Sequence, residues 1–209
     1  NNQNPNIHPF PLDIKDENAA KNTFQNIIEK FKVIDISVFC TGMHDPDAEK
    51  RLSSEKIREI METNFFGTLN CIMAVNTYFR EKKNGHISIV SSVAGYRGLP
   101  AASGYCASKS ALTSLAESLY FDFKRHNVRI SLISPGFIKT PMTDKNKFPM
   151  PMIKSPEFAA EKMFIGLTKK NTFEIHFPIA FTLMMKLLKI MPNWLYFLLV
   201  KKGMKTIKY

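Results

Sequence analysis

Residues 86–136 read HISIVSSVAGYRGLPAASGYCASKSALTSLAESLYFDFKRHNVRISLISPG, a β-branched run at each end with a long pattern of small and apolar residues between them. "HISIVS" (86–91) and "VRISLIS" (128–134) have the length and the flanking breakers of buried strands, and 104–126 reads as a helix. Strand, helix and strand in this order imply a parallel pair joined by a right-handed crossover. The alternation continues upstream. "IHPFPL" (7–12) and "DISVFC" (35–40) read as two more strands, with helices over 17–31 and 53–80. Asp16 or Asn18 is placed to cap the first of these helices, and "SSEK" (53–56) opens the second. The fold class is therefore α/β, an open parallel sheet flanked by helices. Ligands of such sheets lie beyond the carboxyl ends of the strands, so functional residues are expected just after residues 12, 40, 91 and 134.

At 209 residues, with 44% hydrophobic and 22% charged side chains, the chain has apolar material for one sizeable core and too little length for two independent domains. The net charge of +11 invites a nucleic-acid reading, but residues 151–209 hold 10 basic against 3 acidic side chains, so the excess sits in the tail. No arginine-rich stripe with interleaved aromatics occurs in the body, which argues against nucleic acid as a partner. Cys40, Cys71 and Cys106 form no C-x-x-C pair and have no closely spaced histidine. That pattern describes a reduced, cytoplasmic chain with no metal site.

Tyr-x-x-x-Lys occurs three times, at Tyr78/Lys82, Tyr105/Lys109 and Tyr120/Lys124. In a helix each pair shares one face, and a nearby ammonium favours the phenolate of a group whose ordinary pKa is about 10. Spacing alone does not choose among them. Ser92, delivered from the end of a strand thirteen residues before Tyr105, does; the equivalent positions for Tyr78 and Tyr120 are Phe65 and Ala107, which donate nothing.

Ser92, Tyr105 and Lys109, with Asn64 in "METNFFGTLN" (61–70) and Pro135-Gly136 in "SPGFIKTPM" (134–142), resemble the signature of the short-chain dehydrogenase/reductase family. The resemblance runs from "PLDIKD" through "PGFIKT" and implies a Rossmann-like, doubly wound sheet and an NAD(P)-dependent oxidoreductase. By resemblance, Tyr105 is the general acid/base, Lys109 tunes it and bonds the nicotinamide ribose, Ser92 holds the substrate oxygen, and Asn64 holds a water that links Lys109 to solvent. On the cofactor side it implies Asp13 at the adenine amino group and the Cys40-Thr41-Gly42 turn at the adenosine ribose. Pro135, Gly136, Ile138 and Thr140 follow, the last two at the carboxamide and phosphates. "FCTG" departs from the family's usual Asn-Asn-Ala-Gly, although Gly42 keeps the close approach. Ser92 also reads as a turn cap, Asp13 as a helix cap, and Asn64 as a polar surface residue. Cys106 reads as a small core filler. His8, His44, His86, His126 and His176 are scattered and are assigned no chemistry.

The family's T-G-x-x-x-G-x-G turn, which seats a pyrophosphate on a helix N-terminus, has no counterpart here, and the chain contains no G-x-G. The resemblance implies a sheet lacking its first two strands, and the preference between NAD and NADP is unreadable. Residues 1–177 are expected to form a partial dinucleotide-binding and catalytic domain with a substrate loop at 140–155. A helix near 156–168 and a last strand in "TFEIHF" (172–177) complete it. Residues 178–209 form a basic apolar tail with six lysines, no acid and no run near the roughly 20 residues that span a bilayer. The tail reads either as a peripheral element on a membrane surface or as a pocket cover or subunit contact. Both readings imply a small hydrophobic substrate. The helices at 53–80 and 104–126 carry apolar residues on more than one face, so a homodimer or homotetramer is expected. A non-catalytic binding or scaffold protein is the rival class.

Overall fold

The computed structural model describes residues 4–146, 148–169 and 171–204, with side chains as far as Lys202. In chain order the elements are α1 (Glu17–Phe31), β1 (Ile36–Phe39), α2 (Pro46–Lys50), α3 (Ser54–Met61), a π-helical turn (Glu62–Phe66) and α4 (Gly67–Lys82). They continue as β2 (His86–Val90), α5 (Ser103–Arg125), β3 (Arg129–Pro135), α6 (Pro156–Lys169), β4 (Glu174–Phe177), α7 (Ile179–Ile190) and α8 (Asn193–Met204). The four strands form one parallel sheet in the order β1-β2-β3-β4, with Ile87 opposite Ile130 and Ile133 opposite Ile175.

Alternation along the strands builds two core layers. Ile87, Ile89, Ile130 and Leu132 face Val75, Phe79, Leu112 and Phe123, so α4 and α5 cover this side of the sheet. Val90 and Ile133 point the other way, toward Ala159 and Leu167 of α6. Each fully buried aromatic of the first layer contributes about 2–3 kcal/mol. Because α6 crosses the face opposite α5 on its way from β3 to the adjacent β4, this crossover has the opposite hand to the one before it. The long connection between β3 and α6 gives the chain room to change faces.

The helix over 17–31 forms as expected, capped by Asp16, whose side chain accepts from the Ala19 N–H. The helix expected over 53–80 is interrupted. Ser53 caps α3, and the π-helical turn then inserts before α4. "IHPFPL" forms no strand. Pro9 and Pro11 are two residues apart, so both missing N–H groups fall on one edge of the extended chain, which has no donors there for a ladder. The segment packs on helices instead, with the rings of His8 and Phe10 at 4.9 and 6.3 Å from Phe31. Ile14 fills the space left by Gly67, where a Cβ would stand 2.7 Å from its Cδ1. β1 is consequently an edge strand, and Ile36 and Val38 remain 39% exposed. Met73 on α4 and Phe121 on α5 also leave apolar surface outside the core.

The tail folds into α7 and α8, broken at Pro192, and no described helix is long and apolar enough to cross a membrane. Lys205 and Lys208 of the basic tail lie outside the described residues.

Candidate active site

Beyond the end of β2, Ser91 and Ser92 turn the chain toward α5. The Ser91 hydroxyl donates to the Lys109 carbonyl at 2.8 Å and lies 3.0 Å from Thr113 Oγ1. Gly95 allows this approach, since a Cβ there would meet Lys109 O and Ser91 Oγ at 2.9 Å. Ser92 does cap the following turn, accepting from the Ala94 N–H at 3.1 Å. Its hydroxyl also interacts with the Tyr105 phenol.

Tyr105 and Lys109 share a face of α5, with Lys109 Nζ 5.8 Å from the centre of the Tyr105 ring. Lys109 is 3% exposed and donates to the Val90 carbonyl at 2.9 Å. Burial pulls its ammonium down to about 8, against a smaller upward pull from Cys40. Burial pushes the Tyr105 phenol up to about 12, and the Ser92 hydroxyl offsets part of that rise. The tyrosine thus keeps its proton near neutral pH, raised by burial where a lowering by Lys109 was expected.

Asn64 occupies the π-helical turn with 0% exposure, not the polar surface. Its Oδ1 accepts from the Met43 N–H at 2.7 Å, and its Nδ2 donates to the Met43 carbonyl and to Ser108 Oγ, both at 3.0 Å. Both amide protons are used, so the side chain ties the turn after β1 to α5. Gly42 lies at this junction, where a Cβ would stand 3.4 Å from Lys109 Nζ and 3.8 Å from Asn64 Oδ1.

Other expected residues are more dispersed. The Gly136 N–H donates to Phe177 O at 2.7 Å, next to Pro135 at the end of β3. Ile138 bridges to Lys154, and the Thr140 N–H donates to Thr143 Oγ1 at 2.9 Å. Cys40 is exposed. Asp13 makes an exposed turn, accepting from the Lys15 N–H at 3.0 Å, and Asp16 takes the helix-capping role. Among the described residues no group of three metal-ligating side chains occurs.

Two residues escaped the sequence reading. Ala102, at the N-cap of α5, supplies no capping side chain. Glu49 Oε2 does so from α2, accepting from the N–H groups of Gly104 at 2.6 Å and Tyr105 at 3.1 Å. Its Oε1 lies 2.7 Å from Nδ1 of His44, whose ring stacks on Tyr105 with centroids 4.7 Å apart. Neither residue stands in a local motif, because Glu49 reaches a helix start 55 residues away.

Ser92 and Tyr105 open on a cavity of about 320 Å³ lined chiefly by apolar side chains, among them Val93, Leu99, Phe137 and Phe148. Phe181, Met185 and Val200 close it from the tail side. Arg97 anchors that tail, donating to the carbonyls of Leu188 and Met191 and to Asn193 Oδ1, each at 2.6 Å. Its guanidinium lies 4.0 Å from the centre of the Tyr196 ring, whose hydroxyl donates to the Gly98 carbonyl. Lys186 adds a 2.5 Å contact to Glu174, which also accepts from Tyr96 and Ser134. Burial raises the Glu174 carboxyl, but these three partners outweigh it and leave the group below its usual range.

The family model described as short chain dehydrogenase matches residues 1–149. An uncharacterized oxidoreductase of Myxococcus xanthus is 33% identical over 190 residues, covering 91% of this chain and 75% of that protein. A 3-oxoacyl-acyl-carrier-protein reductase of Thermotoga maritima is 27% identical over 177 residues, covering 80% and 72%. Among solved structures, a short-chain dehydrogenase from Streptomyces avermitilis aligns with a TM-score of 0.74 at 19% identity, covering 85% of this chain and 72% of that one. ElxO, solved with NADP bound, aligns with a TM-score of 0.72 at 24% identity, covering 82% and 75%.

Proposed function

The chain belongs to the short-chain dehydrogenase family, and on that premise we propose that it is an NAD(P)-dependent oxidoreductase acting on a hydrophobic alcohol or carbonyl compound. The observation that carries this reading is the meeting of the Ser92 and Tyr105 hydroxyls at the wall of a mostly apolar cavity, with the Lys109 ammonium behind the tyrosine ring.

The Lys109 ammonium has three donors, and one is engaged by Val90 O, which leaves two to meet the hydroxyls of a ribose. Gly42 keeps side-chain bulk away from that amine. These residues fit the nicotinamide-ribose side of a dinucleotide, with Gly136, Ile138 and Thr140 along its flank. When bound, the cofactor supplies or accepts the hydride. The chain's own residues handle the oxygen and its proton. Ser92 donates to the substrate oxygen as charge grows there, and Tyr105 Oη gives the proton in reduction or takes it in oxidation. The buried ammonium stabilises the phenolate left behind. Asn64 holds the turn that keeps Gly42 and Lys109 in place, and the apolar lining excludes water and fits an alkyl substrate.

The inner faces of α7 and α8 support the pocket-cover reading of the tail. Their outer faces favour a second, compatible role, because Ile190, Trp194 and Phe197 are 79%, 70% and 62% exposed beside Lys189 and Lys201. Such a surface suits a peripheral contact with an anionic membrane.

Tyr105→Phe in the complete protein tests the assignment. Turnover should fall by about 10²–10⁴ with dinucleotide affinity within about twofold, while Tyr120→Phe changes little. Comparable losses in both variants, or none in Tyr105→Phe, would return the chain to the binding-protein class.

A further inference from the structure

His44, in the wall of the cavity, and Glu49, buried behind it, form a polar pair that the oxidoreductase reading does not use. The Glu49 side chain is fully buried, and its carboxylate accepts three hydrogen bonds, two from backbone N–H groups of Gly104 and Tyr105 and one from His44. A carboxylate only accepts, so Nδ1 of His44 carries the proton at that contact. In the neutral ring Nε2 is then an acceptor on the opposite side of the imidazole. No described residue bonds Nε2, although the His44 side chain is only 9% exposed. The ring lines the same cavity as Ser92 and Tyr105 and packs on the tyrosine with the two rings tilted by 38°. Nε2 is not sealed inside the protein, so a ligand in the cavity can reach it.

We propose that His44 is a specificity-determining residue whose Nε2 accepts a hydrogen bond from a hydroxyl on the substrate, near the carbonyl or alcohol oxygen held by Ser92 and Tyr105. Glu49 is the positioning residue that fixes its tautomer and ring plane. The inference rests on the oxidoreductase reading and narrows it: the substrate is a hydroxyketone or diol with an alkyl chain, not a simple ketone. The apolar lining takes the chain, and the adjacent Tyr105 ring sets the hydroxyl close to the reacting carbon. Glu49 also links recognition to chemistry, because the same carboxylate that orients His44 holds the backbone N–H of Tyr105.

The test compares two ketones of equal chain length, one plain and one carrying a hydroxyl on the carbon next to the carbonyl. Wild-type protein should prefer the hydroxyketone in kcat/KM by about 10- to 100-fold, the range expected for one buried hydrogen bond. His44→Phe keeps the stacking ring and should erase that preference, with the plain ketone changed by less than about threefold. His44→Gln keeps an acceptor and should restore part of it. Glu49→Gln presents a donor to Nδ1, which leaves Nε2 of the neutral ring protonated, and should shift preference toward the corresponding 2,3-dione. Equal losses on both ketones in His44→Phe would overturn the proposal and leave the ring a packing element over Tyr105. A binding readout separates this from failure of the enzyme reading. In histidine-labelled wild-type protein the hydroxyketone should move the His44 Nε2 resonance and the plain ketone should not, with or without turnover. Absence of that shift overturns the proposal, whereas the shift without turnover of either ketone overturns the oxidoreductase reading alone.

Discussion

Behind Ser92 and Tyr105, which line the α5 side of the cavity, Asn64, Ser91, Ser108, Lys109 and Thr113 bond one another or the backbone between them, whereas Phe181, Met185 and Val200 close the tail side with apolar side chains. The polar wall is held from within, by bonds made at the site itself. The apolar wall is held from behind, by Arg97, Tyr196 and the Lys186–Glu174 pair. A wall of linked buried hydrogen bonds has one low-energy arrangement, because each misplaced group leaves another unsatisfied. An apolar wall hung on peripheral anchors tolerates changes of occupant. Under the proposed function, fixed geometry would sit where a proton is transferred, and adaptable surface where an alkyl chain is accommodated.

The largest effect should come from breaking the fixed wall at its junction. Asn64→Ala removes three side-chain bonds and leaves the partly buried backbone groups of Met43 without these partners. Loss of about 3–4 kcal/mol in denaturant unfolding and a fall in kcat of about 100-fold or more are expected together. If activity fell while stability held, Asn64 would be acting on the reaction directly and the wall would not be the cooperative unit described here.

A smaller and different effect is expected at the other wall. Arg97→Met keeps an apolar stem near Tyr196 but removes the bonds to the end of α7 and to Asn193. KM for a long-chain substrate should rise about tenfold, with kcat within about threefold and stability lower by about 1–2 kcal/mol. Limited proteolysis should cut first between α7 and α8. A loss confined to kcat would show that the tail sets the reacting geometry, against the division of labour between the walls.

The same contrast explains what the sequence disclosed. Ser92, Tyr105 and Lys109 lie within eighteen positions, on a strand end and the helix after it, so the serine at the strand end singles out one of three equally spaced pairs, and the family resemblance gives the set its meaning. The four-residue turn of a helix is visible in one dimension. Asn64 was legible as a residue but its burial was not, because the π-helical turn that holds it breaks the regular period. Glu49 and Arg97 were illegible, since each satisfies backbone groups more than fifty residues away and nothing local marks such a pairing. The first expected strand failed for a reason the sequence did contain: Pro9 and Pro11 empty one edge of its donors. The apolar pattern was read there, and the ladder that a strand also needs was not.

The smallest effect on the fold should come from the outside of the tail, where it separates cover from membrane contact most sharply. Ile190 and Trp194 are 79% and 70% exposed, so replacing both with serine removes little buried area and should change stability by no more than about 0.5 kcal/mol. Kinetics on a water-soluble substrate should stay within about twofold, because Phe181, Met185 and Val200 still face the cavity. Membrane binding should respond differently. On the membrane reading, lysines at 189, 201 and 202 would attract anionic headgroups, and the exposed isoleucine and tryptophan would supply the apolar insertion that holds the helices there. Co-sedimentation of the complete protein with anionic vesicles should therefore be present at low salt, weaken as salt screens the lysines, and fall several-fold in the double variant. Wild-type protein that stays in the supernatant even at low salt would confine α7 and α8 to covering the pocket, and the exposed face would need a protein neighbour instead.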